Sequence, residues 1–77
     1  MSRITLGITV NLGNYENIRI EVERNIHSMS DYIHLHRELT GVLDDFADQT
    51  DGPTRDAFIR YRNRVAIDPR AVSRDVR

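Results

Sequence analysis

The chain has 77 residues, 39% of them apolar, with a mean hydropathy of −0.53 and a formal net charge of −1. It contains no Cys, which excludes a disulfide framework and a thiolate metal site. No apolar run approaches the length of a transmembrane span. We therefore expect one small soluble domain in the cytoplasm, of a size at which a single core is only marginally sufficient.

The basic residues are all Arg, and they are unevenly distributed along the chain. Residues 1–53 hold four Arg and nine acids, a balance of −5, whereas residues 54–77 hold seven Arg and three acids, a balance of +4. Arg suits bidentate contacts to phosphate or carboxylate, although G·C-rich codon usage is the simpler explanation of the bias. The split indicates an interaction tail, self-association between unlike surfaces, or a solvated end.

Two segments near the N-terminus, residues 3–11 and 16–24, alternate strictly between apolar and polar side chains. This period, together with the β-branched residues, predicts two half-buried antiparallel strands joined as a hairpin. The apolar faces comprise Ile4, Leu6, Ile8 and Val10 in the first strand and Ile18, Ile20 and Val22 in the second.

The turn chemistry and the strand faces predict different hairpin registers. A two-residue type II′ turn at Gly13-Asn14 would place Val10 opposite Asn17 and mix the faces. Matching the apolar faces instead requires Val10 to lie opposite Ile18. A three-residue loop over residues 13–15, or a bulge beside the turn, would provide that register.

A long amphipathic helix follows the hairpin. Ser28 or Ser30 is expected to cap it, Asp31 lies in its first turn, and it should end at about Phe46–Asp48. Its apolar residues recur at three- and four-residue steps and form one stripe. The stripe consists of Met29, Tyr32, Leu35, Leu39, Val42, Leu43 and Phe46.

Asp51-Gly52-Pro53 interrupts the helical pattern, which resumes over residues 54–66 as a shorter, basic helix. Facing apolar surfaces predict that the helices cover the hairpin, which gives an α+β fold of ββαα order. Residues 1–67 would form this single domain. Residues 68–77 have little apolar content and are predicted to be a loosely ordered, Arg-rich tail.

No set of residues suggests catalysis. The letters of Asp44-Asp45-Phe46-Ala47-Asp48 resemble the aspartate motif of isoprenoid synthases, but so short a chain cannot build the large cavity which that chemistry needs. Acids at a helix C-terminus oppose the dipole, so we expect a nearby Arg partner, which the following basic helix could supply. His34 and His36 lie about 200° apart on a helix and cannot share a metal ion. We therefore expect no enzyme activity, no cofactor and no metal site.

The segment from Val10 to Val22, with Asn-Leu-Gly-Asn-Tyr-Glu at its turn, resembles part of small uncharacterised proteins of phages and other mobile elements. The resemblance covers roughly the hairpin and nothing after Arg24. It implies a compact accessory protein, a binder or inhibitor in preference to an enzyme, located in the host cytoplasm if phage-encoded. It assigns no functional residue.

The favoured function is a non-catalytic protein-binding module of accessory or inhibitor type. A two-stranded hairpin is marginal in water and exposes both edges, so a homodimer, a protein target or both would complete the sheet. The first strand has an uncharged outer face, and its expected contact residues are Thr5, Gly7, Thr9 and Asn11. Gly7 indicates either the close approach of another backbone or a tolerated surface glycine. A membrane partner is not expected.

The alternative function is nucleic-acid binding by the Arg-rich C-terminal helix and tail. Arginines there could contact phosphates, and Tyr61 could stack on a base. The net charge of −1 counts against this alternative, because nucleic-acid-binding domains are typically basic. The residues concerned are Arg55, Arg60, Tyr61, Arg62, Arg64, Arg70 and Arg74.

Overall fold

The structure, a computed structural model, describes residues 2–13 and 15–76, and of Pro69 only the backbone. Its fold is α+β, as predicted, but with a three-stranded sheet instead of a hairpin alone. The strands lie in the order β2-β1-β3. The elements are β1 (Ser2–Gly13), β2 (Glu16–Ile26), α1 (Met29–Asp48), α2 (Gly52–Ile67), a 3-10 turn (Pro69–Ala71) and β3 (Ser73–Val76).

The hairpin has the register that face matching predicts. Val10 lies opposite Ile18, and the pairing shifts between Asn11 and Gly13, so an irregularity beside the turn reconciles the faces. Gly13 has a φ of 85°, a backbone conformation that glycine adopts without steric cost. The predicted turn residue Asn14 lies outside the described residues.

Helix α1 buries the central part of its apolar stripe. Leu35, Leu39 and Leu43 are fully buried against the sheet and the second helix. Met29, predicted to belong to the stripe, is instead 72% exposed and lines a surface groove with Ile4 and Ile26. The helix begins after Ser28, whose side chain makes no capping hydrogen bond.

Helix α2 packs beside α1 and closes the core. Phe58 is buried and its ring stacks on that of Phe46, with the ring centroids 5.2 Å apart. Val65 is also fully buried. Between the helices, Arg62 Nε lies 3.0 Å from Asp44 Oδ1, so the expected Arg partner of the acidic helix end is confirmed.

The C-terminal segment differs from the loosely ordered tail that its composition predicts. Residues 69–76 form a 3-10 turn and a strand that pairs antiparallel with β1. Val72 is buried in the core, and Arg74 lies over the ring of Tyr32 at 5.8 Å. Tertiary contacts therefore supply the stabilisation that local composition lacks. Arg77 lies outside the described residues.

Candidate functional site

Strand β3 covers only one half of the outer edge of β1. It pairs with Ile4–Gly7, whereas β1 continues to Gly13. On this side, no strand pairs with residues 8–13 within the part of the chain that the structure describes. The four predicted contact residues are thus divided: Thr5 and Gly7 already pair with β3, and Thr9 and Asn11 lie on the open half.

The open half directs backbone hydrogen-bonding groups outward. Gly7 O accepts a hydrogen bond from Ser73 Oγ at 3.1 Å, so the Gly7 carbonyl points toward β3. Alternate residues of a central strand direct their N–H and C=O groups to the same side. Thr9 and Asn11 therefore direct their N–H and C=O groups toward the edge of β1 on which β3 lies. Strand β3 does not extend as far as either residue. Both residues are exposed.

A groove lies between this strand end and helix α2. Residues 11–13 form one wall. On the α2 wall, Arg60 and Tyr61 are consecutive residues, and Arg64 lies about one helical turn further along. The groove is lined in addition by Pro53, Asp56 and Ala57. The groove therefore lies between the end of strand β1 and one face of helix α2.

Two arginines of the groove lie against the same aromatic ring. Arg64 Cζ lies 5.0 Å from the centroid of the Tyr61 ring, and Arg60 Cζ lies 5.9 Å from it. Neither guanidinium forms an ion pair with any carboxylate in residues 2–13 and 15–76. Both are exposed. The groove therefore presents two guanidinium groups without an ion-pair partner in this part of the chain, and one acidic lining residue, Asp56.

The other residues of the predicted nucleic-acid surface point elsewhere. Arg62 pairs with Asp44, and Arg70 Nε lies 3.5 Å from Asp68 Oδ1. Arg74 lies over the ring of Tyr32. Arg55 is exposed and does not line the groove. The structure therefore brings together only Arg60, Tyr61 and Arg64 of the seven predicted residues.

Sequence reasoning missed the contact that attaches β3 to the sheet. The Arg19 side chain crosses from β2 over Gly7, where Nη2 donates to Ser73 Oγ at 2.6 Å. Its Nη1 donates to Thr9 Oγ1 at 3.2 Å, and Nε contacts Glu21 at the same distance. The glycine at position 7 was the one available signal, since it indicates a close approach without naming the group that approaches.

Comparisons with known proteins leave the site to be interpreted from its own geometry. No protein-family model matches the chain, and neither the curated proteins nor the solved structures gave a match. Among the described helices, none has the length and apolar character needed to cross a membrane. The described residues include no cluster of three or more His or acidic side chains arranged to hold a metal ion.

Proposed function

We propose that this chain is a non-catalytic protein-binding module that takes up an extended segment of a partner protein as an additional strand. The segment would pair with the open half of β1, in line with β3, and contact helix α2 across the groove. One observation carries the proposal: β3 pairs with Ile4–Gly7 and leaves residues 8–13 of a 12-residue strand open on that side. Such an edge is a template for strand addition.

A foreign segment fits this edge better than a second copy of the chain. Joining two copies through residues 8–13 would place both α2 helices beside the interface between the copies. Each copy would then bring its own Arg60 and Arg64 guanidinium groups to the shared interface, because these groups lie beside residues 11–13. Like charges brought together at an interface oppose association. This disfavours a second copy of the chain and favours a partner of different charge.

The experiment uses proline to remove one outward backbone donor at a time. Asn11 lies opposite Asn17 in the ladder, and each directs its N–H to its own edge of the hairpin. Asn11→Pro therefore blocks the proposed edge, and Asn17→Pro blocks the opposite edge with a matched perturbation. Asn11→Ala controls for the hydrogen bond that Gly13 N donates to Asn11 Oδ1 at 2.9 Å.

The probe is a displayed library of random peptides, each about 12 residues long, a length that spans an added strand. Peptides enriched on the wild-type chain should bind Asn11→Pro at least about tenfold more weakly, because strand addition depends on main-chain hydrogen bonds. They should bind Asn17→Pro and Asn11→Ala nearly as well as wild type. Circular dichroism establishes that each variant is folded.

Hydrogen exchange on the wild-type chain provides a second readout that does not depend on the proline variants. Binding should slow exchange of the Thr9 and Asn11 amides, because these would become donors to the added strand. The proposal is wrong if no peptide is enriched, or if enriched peptides bind without protecting these two amides. Self-association through the same edge, seen by light scattering, would instead identify a second copy as the occupant.

A further inference from the structure

We infer the chemical class of the partner: the groove selects an acidic extended segment, with carboxylates opposite Arg60 and Arg64. This inference rests on the proposed function and concerns the same groove. The two guanidinium groups have no ion-pair partner in the described part of the chain. A carboxylate on the bound segment would supply the charge that they lack.

The spacing of the two arginines suits alternate residues of a strand. Four residues of an α-helix rise about 6 Å, which is the separation of Arg60 and Arg64 along the axis. Side chains on one face of a strand repeat at about 6.6 Å. On a segment that runs along the helix, two acidic residues at alternate positions therefore match the two arginine positions in spacing as well as in charge.

Tyr61 holds the two arginines in place before a partner arrives. Both guanidinium groups lie within 6 Å of its ring centroid, at 5.0 and 5.9 Å, in cation–π range. Such contacts reduce the side-chain freedom that would otherwise be lost on binding. The acidic residue that lines the groove, Asp56, forms no ion pair with either arginine, so both guanidinium groups remain free to pair with a partner.

An acidic peptide fits these features better than a single-stranded nucleic acid. Arg64 already lies over the ring of Tyr61, which limits stacking of a base on that face. The open edge of β1 offers backbone donors and acceptors in the pattern of a strand, which a peptide backbone can match. A phosphate chain would use the charges alone.

The test reverses the charge of the groove and of a matched surface. One double variant, Arg60→Glu with Arg64→Glu, reverses the charge of the groove. The control double variant, Arg37→Glu with Arg55→Glu, makes the same change in net charge elsewhere on the helices. Arg37 and Arg55 are exposed, form no ion pair with any described residue and do not line the groove. The same random peptide library is selected on wild type and on both double variants.

Peptides enriched on wild type and on the Arg37/Arg55 variant should carry acidic residues at alternate positions. Replacing those residues by Gln should weaken binding at least about tenfold, and more at low salt than at high salt. The Arg60/Arg64 variant should lose these peptides and enrich basic ones. The inversion distinguishes a specific site from a general effect of net charge.

The outcomes separate this inference from the proposed function. Enriched peptides without acidic bias, bound equally by the Arg60/Arg64 variant, would overturn the inference and leave the strand-addition module intact. Failure to enrich any peptide would overturn both. The experiment also includes an oligothymidine of about 15 nucleotides, a length within the usual site size of single-strand-binding domains. Its binding through Arg60 and Arg64 in the absence of peptide binding would assign the groove to nucleic acid.

Discussion

The guanidinium group of Arg19 lies directly over the α-carbon of Gly7. A methyl group added at Gly7 would overlap Nη2 of Arg19 and lie 2.8 Å from its Cζ. From this position Arg19 donates to Thr9 on β1 and to Ser73 on β3, and so one side chain of β2 connects all three strands. The missing side chain at position 7 is what allows the connection.

Gly7→Ala should destabilise the wild-type chain by about 1 kcal/mol, because the new methyl group displaces Arg19 from its hydrogen bonds. In an Arg19→Ala background the same change should be neutral or stabilising, since Ala then only reduces the flexibility of the unfolded chain. Chemical unfolding of the four proteins of this double-mutant cycle measures the coupling. Additive effects of the two substitutions would show that Arg19 does not depend on the space at Gly7.

The hairpin could be predicted from the sequence because its information is local. Alternation fixes which side chains share a face, and matching of the faces fixes the register of Val10 with Ile18. The preference of Gly13-Asn14 for a two-residue turn was overridden by that matching, with a shift between Asn11 and Gly13. The burial of Leu35, Leu39 and Leu43 likewise follows from helical periodicity alone.

Strand β3 could not be predicted, because nothing in its local sequence requires a strand. Its four residues are all exposed, and they are held by groups distant in sequence: Arg19 bonds Ser73, and the ring of Tyr32 lies under Arg74. The candidate groove depends on where β3 stops along β1. The alternating pattern indicated the strand that holds Thr9 and Asn11, but it could not show that Thr5 and Gly7 already pair with β3.

Leu39→Ala tests the packing of helix α1 on the sheet. Leu39 is fully buried, so truncation should leave a cavity and cost about 2–5 kcal/mol. In a small domain this is a large part of the total stability. Ile67→Ala is the matched control, because Ile67 is 83% exposed and its truncation should change stability by less than about 0.5 kcal/mol. Thermal or urea unfolding compares the two, and equal midpoints would contradict the assigned core.

The start of helix α1 contains a carboxylate held in its charged form. Asp31 Oδ2 accepts a hydrogen bond from the backbone N–H of His27 at 2.9 Å, and Arg24 Nε lies 3.6 Å from Oδ1. The His27 N–H is the main cause that lowers the pKa of Asp31 below its ordinary value of 3.8, and Arg24 adds to it. Burial opposes the shift but does not reverse it.

The lowered pKa of Asp31 predicts how stability changes in acid. A carboxyl whose pKa is lower in the folded state stabilises the fold well above 3.8, and this contribution is lost as the pH falls through the folded-state value. The stability difference between wild type and Asp31→Asn should therefore shrink on acidification. Carboxyl NMR titration should place the pKa of Asp31 below 3.8. In Arg24→Ala it should rise but stay below 3.8, because the His27 N–H remains. Titration of Asp31 at or above 3.8 in the wild-type chain would show that His27 does not donate to it in solution.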